Sequence, residues 1–178
     1  LWERGRFLLP QADTLISEET VLVMAGTAAQ IANFDMRMRR DAENEAETAS
    51  DGPVLVLGGG RVGLAAARSL RGRGLNVVIV DRREVPAGEG VGFVKGDAAD
   101  LAVLESAGIR AAPSVIITTH DDDTNIYLTI YCRRLRPDMQ IISRATLDRN
   151  VGILHSAGAD LVLSLVSMMS DAIVNMLS

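Results

Sequence analysis

The chain has 178 residues, 48% of them hydrophobic and 23% charged but only 3% aromatic, with a net charge of -5 and one cysteine. That is enough apolar material for a domain core built from Val, Ile, Leu, Ala and Met, and the acidic balance without stacking rings speaks against nucleic acid as a partner. Cys132 has no second cysteine to pair with, which fits a reducing compartment and a helix-packing role, and no run reaches the ~18 apolar residues that span a bilayer.

The opening on Leu1 rather than Met predicts a fragment of a longer protein, and no signal peptide is read. In "GRFLLPQADTLISEETVLVMAG" short apolar runs are split by "PQADT" and "SEE", which predicts turn and strand, a second strand, then a short helix over "TAAQIANFDMRM". Residues 1–36 are too few for an independent domain and are expected to be the tail of a preceding one. "DAENEAETASDG", Asp41 to Gly52, is acidic and lacks large apolar residues, so 37–51 is assigned as a linker and 52–178 as the main domain.

That domain alternates strand and helix. Strands are predicted at Val54–Leu57, Asn76–Val80, Val91–Asp97, Ser114–Thr119, Met139–Ala145 and Ala159–Ser164. Helices are predicted over Arg61–Arg73 (with Val62, Ala65, Ala66, Ser69 and Leu70 as its apolar spacing), Asp97–Ile109 with Asp97 or Asp100 as cap, Asp121–Pro137, Leu147–Ser156 and Leu165–Leu177. With right-handed crossovers, the expected fold is α/β, a Rossmann-like doubly wound parallel sheet in the order 3-2-1-4-5-6, preceded by the short N-terminal segment.

Gly58, Gly60 and Gly63 form G-x-G-x-x-G between a strand and a helix. The first glycine suits the tight turn, the second lets backbone approach a pyrophosphate, and the third lets helix pack close on strand. Asp81, about 20 residues on at the end of the second strand, is placed to accept hydrogen bonds from a ribose diol and to repel a 2′-phosphate. Arg61 sits inside the loop, either reaching a phosphate or solvated on the first turn. Arg82 and Arg83 read first as a solvated loop, with a 2′-phosphate role as the alternative. Asp97 is either an adenine-edge contact or a helix cap. Thr118 and Thr119 either line the nucleotide or satisfy strand-end backbone. The acids of "HDDDTN", Asp121 to Asp123, read as capping before a cation site, and no metal site is assigned. His120 lacks an evident partner for acid–base work, and His155 reads as structural.

With these motifs in place, the sequence resembles the RCK domain, also called the Trk-type (TrkA-N) nucleotide-binding domain. The resemblance runs from Gly52 to about Ser178 and rests on the glycine loop, "VVIVDRR", "GDA" with "LESAGI" behind it, "TTHDDDTNI" and "IISRA". It implies a regulatory, non-enzymatic domain at the cytoplasmic face of a prokaryotic potassium channel or uptake system. It implies nucleotide contacts at Gly58, Gly60, Arg61, Gly63, Asp81, Asp97, Thr118 and Arg144, with NAD(H) or AMP, ADP or ATP as ligand. It also implies assembly into dimers and larger rings beside a potassium-conducting membrane subunit. The N-terminal piece resembles the end of the family's C-terminal domain through Pro10, Asp13, Thr14, Ile16, Val21, Val23 and Gly26, with Thr20 where an acid is usual; that order implies tandem copies in the parent protein. The last helix, with Leu165, Met168, Met169, Ala172, Ile173 and Met176, matches where the family crosses to a partner subunit, although its spacing alone fits intramolecular packing equally. The alternative reading is the cofactor domain of an NAD-dependent oxidoreductase, which needs a substrate domain and a proton donor and finds only His120 here.

Overall fold

The computed structural model describes Trp2–Glu3, Arg6–Phe7 and residues 52–164. The chain divides into two compact units, Leu1–Ser50 and Asp51–Ser178. In the first, β1 (Trp2–Glu3) pairs antiparallel with β2 (Arg6–Phe7), Trp2 opposite Phe7. The other N-terminal elements and the helix carrying Leu165 to Met176 lie outside the described residues.

In the second unit β3 (Val54–Leu57) leads into α1 (Arg61–Gly72), β4 (Val77–Asp81), β5 (Gly92–Lys95) and α2 (Leu101–Ser106). Then follow β6 (Ser114–Ile117), α3 (Asp122–Leu135), β7 (Gln140–Ala145), a short 3-10 turn (Asp148–Asn150), α4 (Val151–Ser156) and β8 (Leu161–Ser164). The six strands form one parallel sheet, β5-β4-β3-β6-β7-β8, which is the expected 3-2-1-4-5-6 order.

β3 is buried at all four positions because both its faces are covered. On one face Leu55, Leu57, Val115, Ile117 and Ile141 pack with Leu104 of α2, Leu128 and Cys132 of α3 and Leu154 of α4. On the other, Val56, Val77 and Ile79 pack with Ala67 of α1 and with Ala87, while Leu64, Leu70 and Val85 close the edge. Burial pushes the Cys132 thiol up to about 12, so it is a protonated core residue.

α1 turns a different face inward from the one its apolar spacing suggests. Gly63 and Ala67 are buried, whereas Val62 is 43% exposed. The requirement that Gly63 meet the strand sets the rotation of the helix and overrides the larger side chain. Of the two caps the sequence offers for α2, Asp100 is the one used, accepting from the Ala102 amide, so the helix begins at Leu101. The β4–β5 connection carries no helix, and Val85 and Ala87 cover the sheet in its place. The reversal of strand order between β3 and β6 opens a crevice at their carboxyl ends, where ligands of such sheets bind. Toward the amino end of β7, Arg133 donates to the carbonyls of Gly158 and Met139 and pairs with Asp160 at 2.8 Å.

Candidate nucleotide-binding site

The glycine turn is built by close approach. Gly58 has φ +108°, a conformation that L side chains rarely adopt, and its amide donates to the Val80 carbonyl at 2.9 Å. A Cβ on Gly63 would lie 1.9 Å from the Gly58 carbonyl oxygen, so the helix touches the turn backbone to backbone. Gly60 differs: it is the N-cap of α1 at φ -72°, and a Cβ there would meet nothing within 4 Å. No side chain caps Gly60 and the first turn holds no acid, so the amides and the positive end of the helix dipole remain available to an anion. Arg61 is exposed at this end. A Cβ on Gly59 would lie 2.7 Å from Cγ1 of Val85, which places the β4–β5 loop against the turn.

Asp81 ends β4 and reaches back to the same turn. Its Oδ2 accepts from the Gly59 amide at 2.7 Å, and its Oδ1 accepts from the Arg83 amide at 2.8 Å. Burial pushes this carboxyl up, but the two amides and the nearby Arg83 guanidinium outweigh burial and hold it below the ordinary value. Asp97 lies two residues past β5, whose last residue, Lys95, pairs with Asp81. Its Oδ1 accepts from the Ala99 amide at 3.0 Å and its Oδ2 pairs with Arg82 at 2.6 Å. The Ala99 amide, with Arg82, lowers its pKa against modest burial. The capping role falls to Asp100, which leaves Asp97 at the rim of the crevice. Arg82 and Arg83, expected in a solvated loop, are exposed yet each lies beside an acid, Arg83 with its Nε 3.5 Å from Asp81.

Thr118 is 4% exposed and its hydroxyl donates to the Gly58 carbonyl at 2.9 Å. Of the two roles weighed for it, satisfying backbone is the one its hydroxyl performs. Thr119 donates to Oδ1 of Asn125 at 2.6 Å, and Nδ2 of Asn125 donates to the carbonyl of Arg144 at 2.9 Å. Arg144 is thus joined to the set through its backbone. The eight contacts that the resemblance implies, with Arg82 and Thr119, therefore lie toward the carboxyl ends of β3 to β7.

Asn125, given no role from the sequence, and Asp122, expected only to cap the helix, organise this end of the sheet. Asn125 is fully buried and ties β6 to β7, and Asp122 accepts from the amides of Thr146 and Leu147 at 2.7 and 2.9 Å and from Nδ2 of Asn150 at 2.8 Å. Their signal was spacing: Asp122, Asn125 and Thr129 share the face of α3 that buries Leu128 and Cys132. Asp121 is the cap, accepting from the Thr124 amide. Among the described residues no group of three or more His, Cys, Asp or Glu is placed to hold a metal ion, and no helix is long and apolar enough to cross a membrane.

Burial pushes the Asp122 carboxyl up, but its three donors more than offset this and its pKa lies below the ordinary 3.8. A depressed folded-state pKa contributes stability that is fully present above the unfolded value and is lost as pH falls through the folded one. Thermal stability should therefore fall on acidification below about pH 4. In Asp122→Asn that fall should be shallower, and the variant should lose about 2 kcal/mol at neutral pH, because an amide cannot accept from all three donors. Unfolding curves from pH 2 to 7 check this; an acid slope identical to wild type would place the titrating group elsewhere.

The comparisons agree with this fold. A Trk system potassium uptake protein TrkA homolog from Pyrococcus abyssi is 35% identical over 98 residues, which covers 52% of this chain and 43% of that protein. The chain spans less than half the length of the curated relatives it matches. Among solved structures, the GsuK RCK domain is 37% identical with a TM-score of 0.75 over 98% of this chain and 37% of its own. The GsuK channel bound to NAD is 38% identical with a TM-score of 0.76 over 99% of this chain and 31% of its own. GsuK bound to ADP is 39% identical with a TM-score of 0.65 over 74% of this chain and 35% of its own. Residues 54–165, which run from the first strand of the parallel sheet past the last, match the family model of the TrkA-N domain, and the chain belongs to that family.

Proposed function

We propose that this domain senses NAD(H) or an adenine nucleotide (AMP, ADP or ATP) in the crevice above Gly58–Gly63, and through that binding controls a prokaryotic potassium channel or uptake system. The observation that carries the reading is the Asp81 carboxylate seated on the Gly59 amide. It joins by one hydrogen bond the acid proposed to read the ribose and the turn proposed to face the phosphates. The GsuK structures with NAD and with ADP, and the potassium uptake relatives, support the ligand class and the transport context. Arg61, Thr119 and Arg144 complete the proposed contacts, with Asp97 and its ion-pair partner Arg82 bordering the adenosine end. In this proposal the domain works on the cytoplasmic side of the membrane, as a dimer or larger ring beside a potassium-conducting subunit. A nucleotide can act there only through a difference in affinity for two conformations of that assembly. The role is regulatory rather than catalytic, so NADH should not be oxidised in the presence of small carbonyl compounds.

Calorimetric titration tests the reading. NAD and ADP should bind, and NADP should bind more weakly than NAD by about 1–3 kcal/mol, because its 2′-phosphate faces the Asp81 carboxylate. Equal affinity for NAD and NADP would mean that Asp81 does not read the ribose. Turnover of NADH would restore the oxidoreductase reading.

A further inference from the structure

The pairing of the two acids at this rim with the two arginines between them goes beyond a ribose contact. In sheets of this kind an acid at the end of the second strand reads the ribose hydroxyl, while a nearby arginine is what accommodates a 2′-phosphate. This chain carries both: Asp81 is followed directly by Arg82 and Arg83. Yet the guanidinium of Arg82 is turned to Asp97 across the β4–β5 pair, at 2.6 Å, and Nε of Arg83 lies 3.5 Å from Asp81. Asp97 is itself fixed, since its other oxygen accepts from the Ala99 amide at 3.0 Å. We infer that Asp97 is a positioning residue that sets nucleotide specificity, holding Arg82 away from the ribose so that, of the two arginines, only Arg83, already beside Asp81, stays near a 2′-phosphate. This inference rests on the nucleotide site proposed above and adds a second acid to its selectivity.

The pair is exposed, with side chains 73% and 44% accessible, so it is worth little to folding. Its consequence lies in where it parks a charge. Asp97→Asn is the informative change: the amide oxygen still accepts from Ala99, but the side chain no longer carries the charge that holds Arg82. The released guanidinium is then free to form a charge-assisted contact with phosphate.

The test is a double-mutant cycle read as the ratio of the NADP and NAD dissociation constants, which cancels any loss common to both ligands. Asp97→Asn should lower that ratio by roughly five- to tenfold, the scale of one solvent-exposed arginine–phosphate contact. In the double variant Asp97→Asn/Arg82→Ala the ratio should return to its wild-type value, because the gain acts through Arg82. A ratio unchanged in Asp97→Asn would overturn the inference alone. So would a fall that persists in the double variant, since it would mean that Asp97 merely repels the phosphate itself. If wild-type protein bound neither dinucleotide, the nucleotide reading would fail and this inference with it.

Discussion

Gly63→Ala should destabilise the domain by about 3 kcal/mol, the upper end of what overpacking a close contact costs. Two effects oppose each other at this position. Alanine is the better helix former by about 1 kcal/mol. Against that, its Cβ would lie 1.9 Å from the Gly58 carbonyl oxygen and 2.7 Å from the Thr118 hydroxyl. The first of those atoms is backbone, in a turn whose φ of +108° leaves little freedom to retreat. Gly72→Ala provides the control in the same helix, since a Cβ there meets nothing within 4 Å. It should stabilise by about 0.5 kcal/mol, less than the full propensity difference because Gly72 closes the helix. Urea unfolding of both variants gives the comparison. If the two shifts share a sign, the contact between α1 and the turn is not as tight as described.

Gly60→Val should leave the fold intact and remove nucleotide binding, with affinity falling about 100-fold as contacts between phosphate and the helix amides are lost. Its Cβ enters open space and its φ of -72° suits any residue. The cost to the helix is confined to a poorer N-cap, within about 1 kcal/mol. The same open space is where a pyrophosphate must come to reach the first-turn amides, and a branched side chain would occupy it. Circular dichroism should match wild type while calorimetry with NAD and ADP shows no saturable heat. Binding at wild-type strength would move the phosphates away from this turn. The contrast between Gly60 and Gly63, three residues apart, separates the glycine that keeps space for a ligand from the one that lets helix meet strand.

Much of this was legible in the sequence. The predicted strands at Val54, Val77, Ser114, Gln140 and Leu161 are all present; the continuous apolar run of β3 is buried at every position, as a central parallel strand requires, whereas β6, β7 and β8 bury alternate residues. Their order followed from the handedness of crossovers, which does not depend on side-chain detail. Less legible were features decided by tertiary contact. The rotation of α1 is set by Gly63 against Gly58 and leaves Val62 in solvent, which no hydrophobic periodicity registers. The predicted helix over Leu147–Ser156 resolves into a 3-10 turn and a short helix, while Asp122 anchors the amides of Thr146 and Leu147 just before it. Asp122 stood inside a run of three acids at a helix start, and capping explained the run without distinguishing its members. The pairing of Arg82 with Asp97 joins residues fifteen apart, each just past the end of a strand, a partnership that spacing along the chain does not encode.

Nucleotide is proposed to bind where the turn, the end of β4 and Asp97 converge. Backbone hydrogen exchange, followed by mass spectrometry with and without ADP, tests this proposal most directly. Exchange should slow at residues 58–64, with further protection near Asp81 and Asp97. No change is expected at Met139–Ile141, where Arg133 and Asp160 close the amino end of β7. Protection confined to that amino end, or none at saturating ADP, would contradict the proposal.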